Sequence, residues 1–221
     1  MLTVTINGRA YGPREVRDEL SMNDFLREYL GMTGTKFGCG AAQCLSCAVI
    51  IDNPDGTSDT SPTCIVPAVS FNGKSIRTVE GHAKNGELSP LQKAFITHFA
   101  FQCGYCTAGF LNEGQVLLER LARNPVARAD LEKTIAEALD GHLCRCTGYI
   151  KYHEAVRDVV LAVISLRNGR LRDPLGRAPL LSKPSGQFPH CSMEHECVID
   201  KFRSSEALCI HHHLMWINTL T

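Results

Sequence analysis

Residues 38–47 read Gly-Cys-Gly-Ala-Ala-Gln-Cys-Leu-Ser-Cys. This cysteine-rich stretch decides which fold we predict for the first half of the chain. It carries three cysteines, Cys39, Cys44 and Cys47, in a C-x4-C-x2-C arrangement among small residues. Small residues let the backbone approach closely and point its N–H groups at negatively charged sulfur. Sixteen residues separate Cys47 from Cys64, and a hairpin between them would return Cys64 as a fourth ligand.

Three kinds of chemistry could hold these cysteines: disulfides, a zinc ion or an iron-sulfur cluster. Disulfides are disfavoured, because the N-terminus does not read as a secretory signal and an odd number of cysteines, eleven, cannot pair completely. C-x4-C-x2-C is the spacing of plant-type [2Fe–2S] sites. Zinc sites more often show paired C-x2-C knuckles, so zinc or unligated core thiols remain as the alternative.

A second set of four cysteines lies further along the chain. Cys103-x2-Cys106 and Cys144-x-Cys146 are separated by 37 residues. We expect each pair at the start of a helix, where the positive end of the helix dipole stabilises thiolates. Taken alone, this set also fits zinc or a redox disulfide. Its occurrence beside the first set favours a second iron-sulfur cluster.

Hydrophobic patterning predicts an α+β chain. Residues 2–6 alternate and end at a tight turn, which predicts a hairpin, and residues 21–30 have helical spacing. Further strands are predicted at 48–52 and 75–79, and further helices from Ser89 and over 110–122, 130–139 and 152–166. The predicted organisation is a sheet domain over 1–78, a linker over 79–88, four helices within 89–168 and an extended tail over 169–221.

Four motifs resemble one family. They are TGTKFGC at 33–39, QCLSC at 43–47, QCGYCT at 102–107 and CRCTGY at 144–149. In this order they resemble the small iron-sulfur subunit of the xanthine oxidase family of molybdenum hydroxylases, over about residues 1–168. The resemblance implies a β-grasp ferredoxin-like [2Fe–2S] domain followed by a four-helix [2Fe–2S] domain.

The resemblance also implies roles for named residues. It assigns the outer cluster, facing the electron acceptor, to Cys39, Cys44, Cys47 and Cys64. It assigns the inner cluster, beside the molybdenum cofactor, to Cys103, Cys106, Cys144 and Cys146. It places Gln102 and Cys146 against the molybdopterin, which a large partner subunit holds and uses to oxidise an aldehyde or an N-heteroaromatic substrate. A flavin subunit or a cytochrome c-type subunit would accept the electrons.

The chain departs from the family pattern at three positions. The family commonly has glycine where this chain has Ala42 and Leu45, and proline where it has Ala108. If the loop needs a positive φ at these glycine positions, Leu45 is expected to be strained.

Composition excludes other classes of function. Twenty-three basic and 23 acidic residues balance to zero, which argues against a nucleic-acid protein. No stretch is apolar enough to span a membrane. We expect an electron-transfer subunit in the cytoplasm, or in the periplasm or at a membrane if exported partners carry it. A stand-alone iron-sulfur carrier or a zinc-stabilised binding module is the alternative.

The predicted tail holds the remaining three cysteines and most of the histidines. They are Cys191, Cys197, Cys209, His190, His195, His211, His212 and His213. No pair has a standard finger spacing, so a metal site there is disfavoured. Elsewhere, His142 is expected to be an ordinary surface or helix histidine.

Overall fold

A computed structural model of the chain describes residues 1–167. The strands are β1 (Leu2–Ile6), β2 (Arg9–Arg14), β3 (Ala48–Asp52), β4 (Ser58–Pro62) and β5 (Ser75–Arg77). The α-helices are α1 (Met22–Asp24), α2 (Pro90–Thr97), α3 (Thr107–Arg123), α4 (Leu131–Leu139) and α5 (Ile150–Arg167). The predicted tail, with its three cysteines, lies outside the described residues.

One five-stranded sheet organises the first half, in the order β2-β1-β5-β3-β4. β1 pairs antiparallel with β2 and parallel with β5, while β3 pairs antiparallel with both β4 and β5. Alternation in β1 buries Leu2, Val4 and Ile6 on one face, as the pattern predicted. The predicted hairpin between Cys47 and Cys64 is present as β3 and β4, but the residues of β4 were not identified because they are almost all polar and show no alternation.

The first helix begins as predicted but is short. The Ser21 hydroxyl accepts a hydrogen bond from the Asp24 N–H at 3.0 Å, which caps the N-terminus. After α1 the chain continues as a π-helical turn over Phe25–Tyr29. Phe25 and Leu26 are fully buried against the sheet and form part of its core.

The second half packs α2, α3, α4 and α5 around a separate apolar core. Its largest buried side chains include Phe95, Phe110 and Tyr152. Val79 belongs to this core as well, although it lies in a 3-10 turn directly after the sheet. The predicted linker 79–88 therefore begins with a packed residue, and the domain boundaries remain a prediction. Within residues 1–167, no helix has the length and apolar character needed to cross a bilayer.

Helix α3 lies across β3 and β4 and joins the two halves through polar contacts. Glu119 accepts bonds from the Arg77 guanidinium at 2.7 Å and the Ser58 hydroxyl at 2.5 Å, and Glu113 accepts one from Thr60 at 2.6 Å. Burial alone would raise the pKa of Glu119, but its bonds to Arg77, Ser58 and Gln115 outweigh burial and lower the pKa to about 2. The α3–sheet contacts therefore hold an ionised carboxylate at neutral pH.

Candidate iron-sulfur sites

The first cysteine loop wraps its backbone around one sulfur. The Cys39 Sγ accepts hydrogen bonds from the N–H groups of Ala41 at 3.3 Å, Gln43 at 3.3 Å and Cys44 at 3.4 Å. These donors stabilise the thiolate and lower the pKa of Cys39 to about 6. The loop thus supplies a thiolate, the form that binds iron, at an exposed position.

The other three cysteines of this set lie inward. Cys44, Cys47 and Cys64 are buried, and the Cys47 Sγ accepts a bond from the Thr63 N–H at 3.4 Å. A Cβ added to Gly38 would lie 2.6 Å from the Cys44 Sγ, so only glycine leaves room for that sulfur. Burial raises the pKa of Cys64, and its neighbours Cys47 and Cys39 raise it further. The set therefore joins one exposed sulfur to three inner ones.

The expected strain in this loop is present. Ala42 has a φ of 56° and Leu45 a φ of 54°, in the left-handed region that favours glycine. The Leu45 side chain points towards Gly141, where an added Cβ would lie 3.2 Å from its Cδ1. Its carbonyl oxygen lies against Gly109 of α3. Leu45 thus has an unfavourable backbone conformation at the position where the loop contacts the helical half.

The second set of cysteines is brought together from distant parts of the chain. Cys106 is the N-cap residue of α3, as predicted. The helix-start prediction is wrong for Cys144 and Cys146, which lie in the turns before α5 rather than in its first turn. The Sγ atoms of Cys146 and Cys103 are 3.4 Å apart, and both residues are exposed. Cys106 and Cys144 are buried, so this set also has an open and a closed side.

Side-chain hydroxyls surround the buried sulfurs of the second set. The Thr147 Oγ1 lies 3.1 Å from the Cys144 Sγ, which also accepts the Thr147 N–H at 3.4 Å. The Tyr152 hydroxyl lies 3.3 Å from the Cys106 Sγ. Sequence reasoning missed Tyr152, and the available signal was a tyrosine on the apolar face of the helix that follows the C-x-C pair.

The two cysteine sets meet at the junction of the two halves. The Leu143 N–H donates to the Cys44 carbonyl oxygen at 3.1 Å, so the residue before Cys144 is bonded directly to a residue of the first set. The Tyr105 hydroxyl, from the Cys103–Cys106 loop, donates to the carbonyl oxygen of Phe37.

Two buried polar side chains also lie at this junction. The Asn112 side-chain amide donates to the Ala48 carbonyl oxygen at 2.7 Å and ties α3 to β3. His142 is not a surface residue: it is 1% exposed and packs against Phe110. Burial lowers the pKa of His142 to about 4, so the ring is neutral at pH 7. An uncharged ring is what a buried position between the two cysteine sets requires.

Gln102 lies at the surface next to Cys103 and is exposed, like Cys103 and Cys146.

Within the described part of the chain, no three His, Cys, Asp or Glu side chains are grouped as ligands of a single metal ion. The paired sulfurs, the N–H groups directed at Cys39 and the space kept open by Gly38 fit clusters that are each bound by four thiolates. Ligation by these eight residues remains a prediction.

Comparisons with known proteins identify the family. Residues 78–157 match the family described as [2Fe-2S] binding domain. The chain is 42% identical over 161 residues to the nicotine 6-hydroxylase small subunit of Paenarthrobacter nicotinovorans, covering 71% of this chain and 87% of that protein. It is 41% identical over 137 residues to the nicotinate dehydrogenase small FeS subunit of Eubacterium barkeri, covering 62% and 80%.

A solved structure agrees with these relatives. Quinoline 2-oxidoreductase from Pseudomonas putida 86 matches with a TM-score of 0.63 and 37% identity, over 77% of this chain and 97% of the matched chain. Sequence motifs, fold and relatives agree. The chain belongs to the small iron-sulfur subunits of the xanthine oxidase family of molybdenum hydroxylases, and it is the iron-sulfur subunit of an oxidoreductase.

Proposed function

We propose that the chain holds two [2Fe–2S] clusters and relays electrons between a molybdopterin site in a large partner subunit and an external acceptor. The ligands of one cluster would be Cys39, Cys44, Cys47 and Cys64, and those of the other Cys103, Cys106, Cys144 and Cys146. The sheet would be a β-grasp ferredoxin-like domain, and the helices α2 to α5 a four-helix cluster domain.

The observation that carries this proposal is the bond between Leu143 and Cys44. It joins the two ligand segments by one hydrogen bond of 3.1 Å. A short path from Cys144 to Cys44 therefore runs along backbone bonds and crosses a single hydrogen bond. A zinc-stabilised module would not need its two sites connected. A relay does, because electrons must pass from one centre to the other.

Each cysteine set has an exposed side, so the direction that we propose for the relay follows the family resemblance. Cys103 and Cys146 lie at the surface with Gln102, and we assign this open side to the partner that holds the molybdopterin. The Gln102 amide could both donate to and accept from the edge of a pterin ring. Cys39 is exposed at the first set, and we assign that side to the acceptor, a flavin subunit or a cytochrome c-type subunit.

The clusters, when bound, supply one-electron redox chemistry, whereas hydroxylation of a substrate releases two electrons. The chain's own residues hold eight thiolates, direct N–H and O–H donors at the sulfurs and keep water from the inner ones. Relatives are named for nicotine and nicotinate and one matched structure for quinoline, whereas two other matched structures are named aldehyde oxidoreductases. We propose an N-heteroaromatic compound or an aldehyde as the substrate of the complex, with no substrate site in this chain.

Metal and sulfide analysis tests the proposal directly. The chain purified from its native complex should contain about four iron and four acid-labile sulfide, with two distinct paramagnetic resonance signals on reduction. Stoichiometric zinc without such signals would contradict it. Co-purification with a much larger molybdenum-containing chain separates a subunit from a stand-alone carrier, which would purify alone.

A further inference from the structure

We propose that Tyr152 is a positioning residue for electron transfer: its phenol donates a hydrogen bond to the Cys106 Sγ and raises the reduction potential of the second cluster. This inference rests on the proposed function, since it requires a cluster at the second set. It assigns a role to a side chain that is not itself a ligand.

The geometry around the phenol is closed to water. The Tyr152 oxygen lies 3.3 Å from the Cys106 Sγ and 3.3 Å from the Thr107 Oγ1. Tyr152 is 1% exposed and Cys106 is 6% exposed. A buried hydroxyl with two polar neighbours must use them, because no solvent molecule can replace either bond.

The direction of the bond follows from the chemistry of the three groups. A thiolate bound to iron has no proton and can only accept. The Thr107 hydroxyl can donate to the phenol oxygen, which leaves the phenol proton for the Cys106 sulfur. A tyrosine phenol has an ordinary pKa of about 10, so it carries that proton at physiological pH.

Aromatic packing fixes the ring in this position. The Tyr152 ring stacks on Phe110 with centroids 4.0 Å apart and an interplanar angle of 4°. Phe95 packs on it at 5.4 Å. The hydroxyl therefore has little freedom to turn away from the sulfur when the charge on the site changes.

A proton donor at a ligand sulfur has a predictable electronic effect. Reduction adds negative charge to the cluster and its sulfurs, and a hydrogen bond to sulfur stabilises the more negative form. The potential of the second cluster is therefore higher with the phenol present than without it. At Cys39 the donors are backbone N–H groups, which only substitution by proline removes and which then also changes the backbone, so Tyr152 offers the more direct experiment.

Tyr152→Phe in the purified complex removes the hydroxyl and keeps the ring. In a redox titration followed by paramagnetic resonance, the second cluster should become about tenfold harder to reduce, a shift of about 59 mV to lower potential for one electron. The signal of the first cluster is the internal control and should not move. Tyr29→Phe, at a 44% exposed tyrosine in the other half, is the matched control and should leave both potentials unchanged.

An opposite change guards against a packing effect. Replacement of Tyr152 by 3-fluorotyrosine makes the phenol a stronger donor at nearly constant shape, and it should raise the potential of the second cluster. In the reduced wild-type complex, double resonance in light water should show several exchangeable protons coupled to that cluster, because Thr147 also donates to it, and one of these couplings should be lost in Tyr152→Phe.

The outcomes separate this inference from the proposed function. Two clusters with an unchanged potential in Tyr152→Phe, or the same set of exchangeable protons coupled to the second cluster in Tyr152→Phe as in the wild type, would overturn the role of Tyr152 alone. If Tyr152→Phe does not retain its cluster, the fluorotyrosine protein decides, and an unshifted or lowered potential overturns the inference. Zinc or an absent cluster at the second set would overturn both.

Discussion

The carbonyl oxygen of Leu45 lies against the Cα of Gly109, so closely that a Cβ on Gly109 would be 2.2 Å from it. Leu45 stands between two cysteines of the first set, and Gly109 lies in the first turn of α3, which begins after Cys106. The contact places one cysteine loop directly on the helix that positions the other set. The contact is possible only because Gly109 has no side chain.

Gly109→Ala should separate the two halves at this point. A methyl group cannot share space with a backbone oxygen, so α3 or the loop must move, at a cost of about 3 kcal/mol in the free energy of unfolding. Urea unfolding followed by far-UV circular dichroism measures this loss, and the resonance signals of the two clusters should both broaden or shift.

Gly114→Ala provides the matched control in the same helix. A Cβ there would meet Leu91 Cδ1 at 3.4 Å, an ordinary contact, and alanine favours the helix by about 0.5 kcal/mol over glycine. The free energy of unfolding should be unchanged or slightly larger than that of the wild type. Equal losses for the two variants would mean that the contact between Gly109 and Leu45 has no special importance.

Position 42 tests the strain in the first cysteine loop. Ala42 has a φ of 56°, a conformation that costs an L-residue about 1 kcal/mol. Ala42→Gly should slow the release of iron to a chelator, and Ala42→Val should speed it, because a β-branched residue tolerates this conformation poorly. Ala41→Val, at the exposed neighbour without a positive φ, should leave the rate of iron release unchanged. Slower release of iron from Ala42→Val than from the wild type would contradict the presence of backbone strain at position 42.

Glu119→Gln should weaken the α3–sheet contacts in a pH-dependent way. The pKa of Glu119 falls from 4.5 to about 2 on folding, so its ionised form stabilises the fold fully above about pH 5 and is lost as pH drops towards 2. At pH 7 the substitution should cost about 2 kcal/mol, since it removes one of the two carboxylates paired with Arg77 and leaves only Asp52.

The measurement is the difference in unfolding free energy between wild type and Glu119→Gln from pH 7 to pH 4. That difference should begin to shrink below about pH 5. Glu137→Gln is the control, because its pair with Lys133 is exposed and should contribute less than about 0.5 kcal/mol at any pH. A constant difference for Glu119→Gln across the range would rule out the ionised carboxylate as the cause.

Single cysteine substitutions test the two sets separately. Cys47→Ser should remove one resonance signal and about two irons, and Cys144→Ser should remove the other signal with a similar loss. Each variant should retain the opposite signal. Cys191→Ser, outside both sets, should retain all the iron. Loss of both signals from either variant would argue against two separately held clusters.

Local patterns predicted the elements that have local causes. The alternation in β1 and the helix that starts at Ser21 depend on residues that are neighbours in sequence, and both are confirmed. β4 was not predictable in this way, because its polar residues form a strand through pairing with β3 and cover by α3. The short π-helical turn after α1 has no local signal that we recognise.

The cysteine sets followed from spacing and resemblance, whereas their surroundings did not. The contacts of Tyr152 with Cys106 and of Leu143 with Cys44 join residues 46 and 99 positions apart. Such contacts depend on how the helices pack, and local patterns in a single sequence do not reveal that packing. The positive φ at Leu45 was the exception, since a departure from the family's glycine pointed to it.

The burial of Val79 among the helices has a consequence for any attempt to divide the protein. Val79 follows the sheet directly in sequence but is only 3% exposed within the helical core. A helical fragment that starts at residue 89 would lack this side chain and open a cavity beside its neighbours. A gene fragment meant to express the second site alone should therefore begin upstream of Val79, close to residue 78, where the match to the [2Fe-2S] binding domain begins.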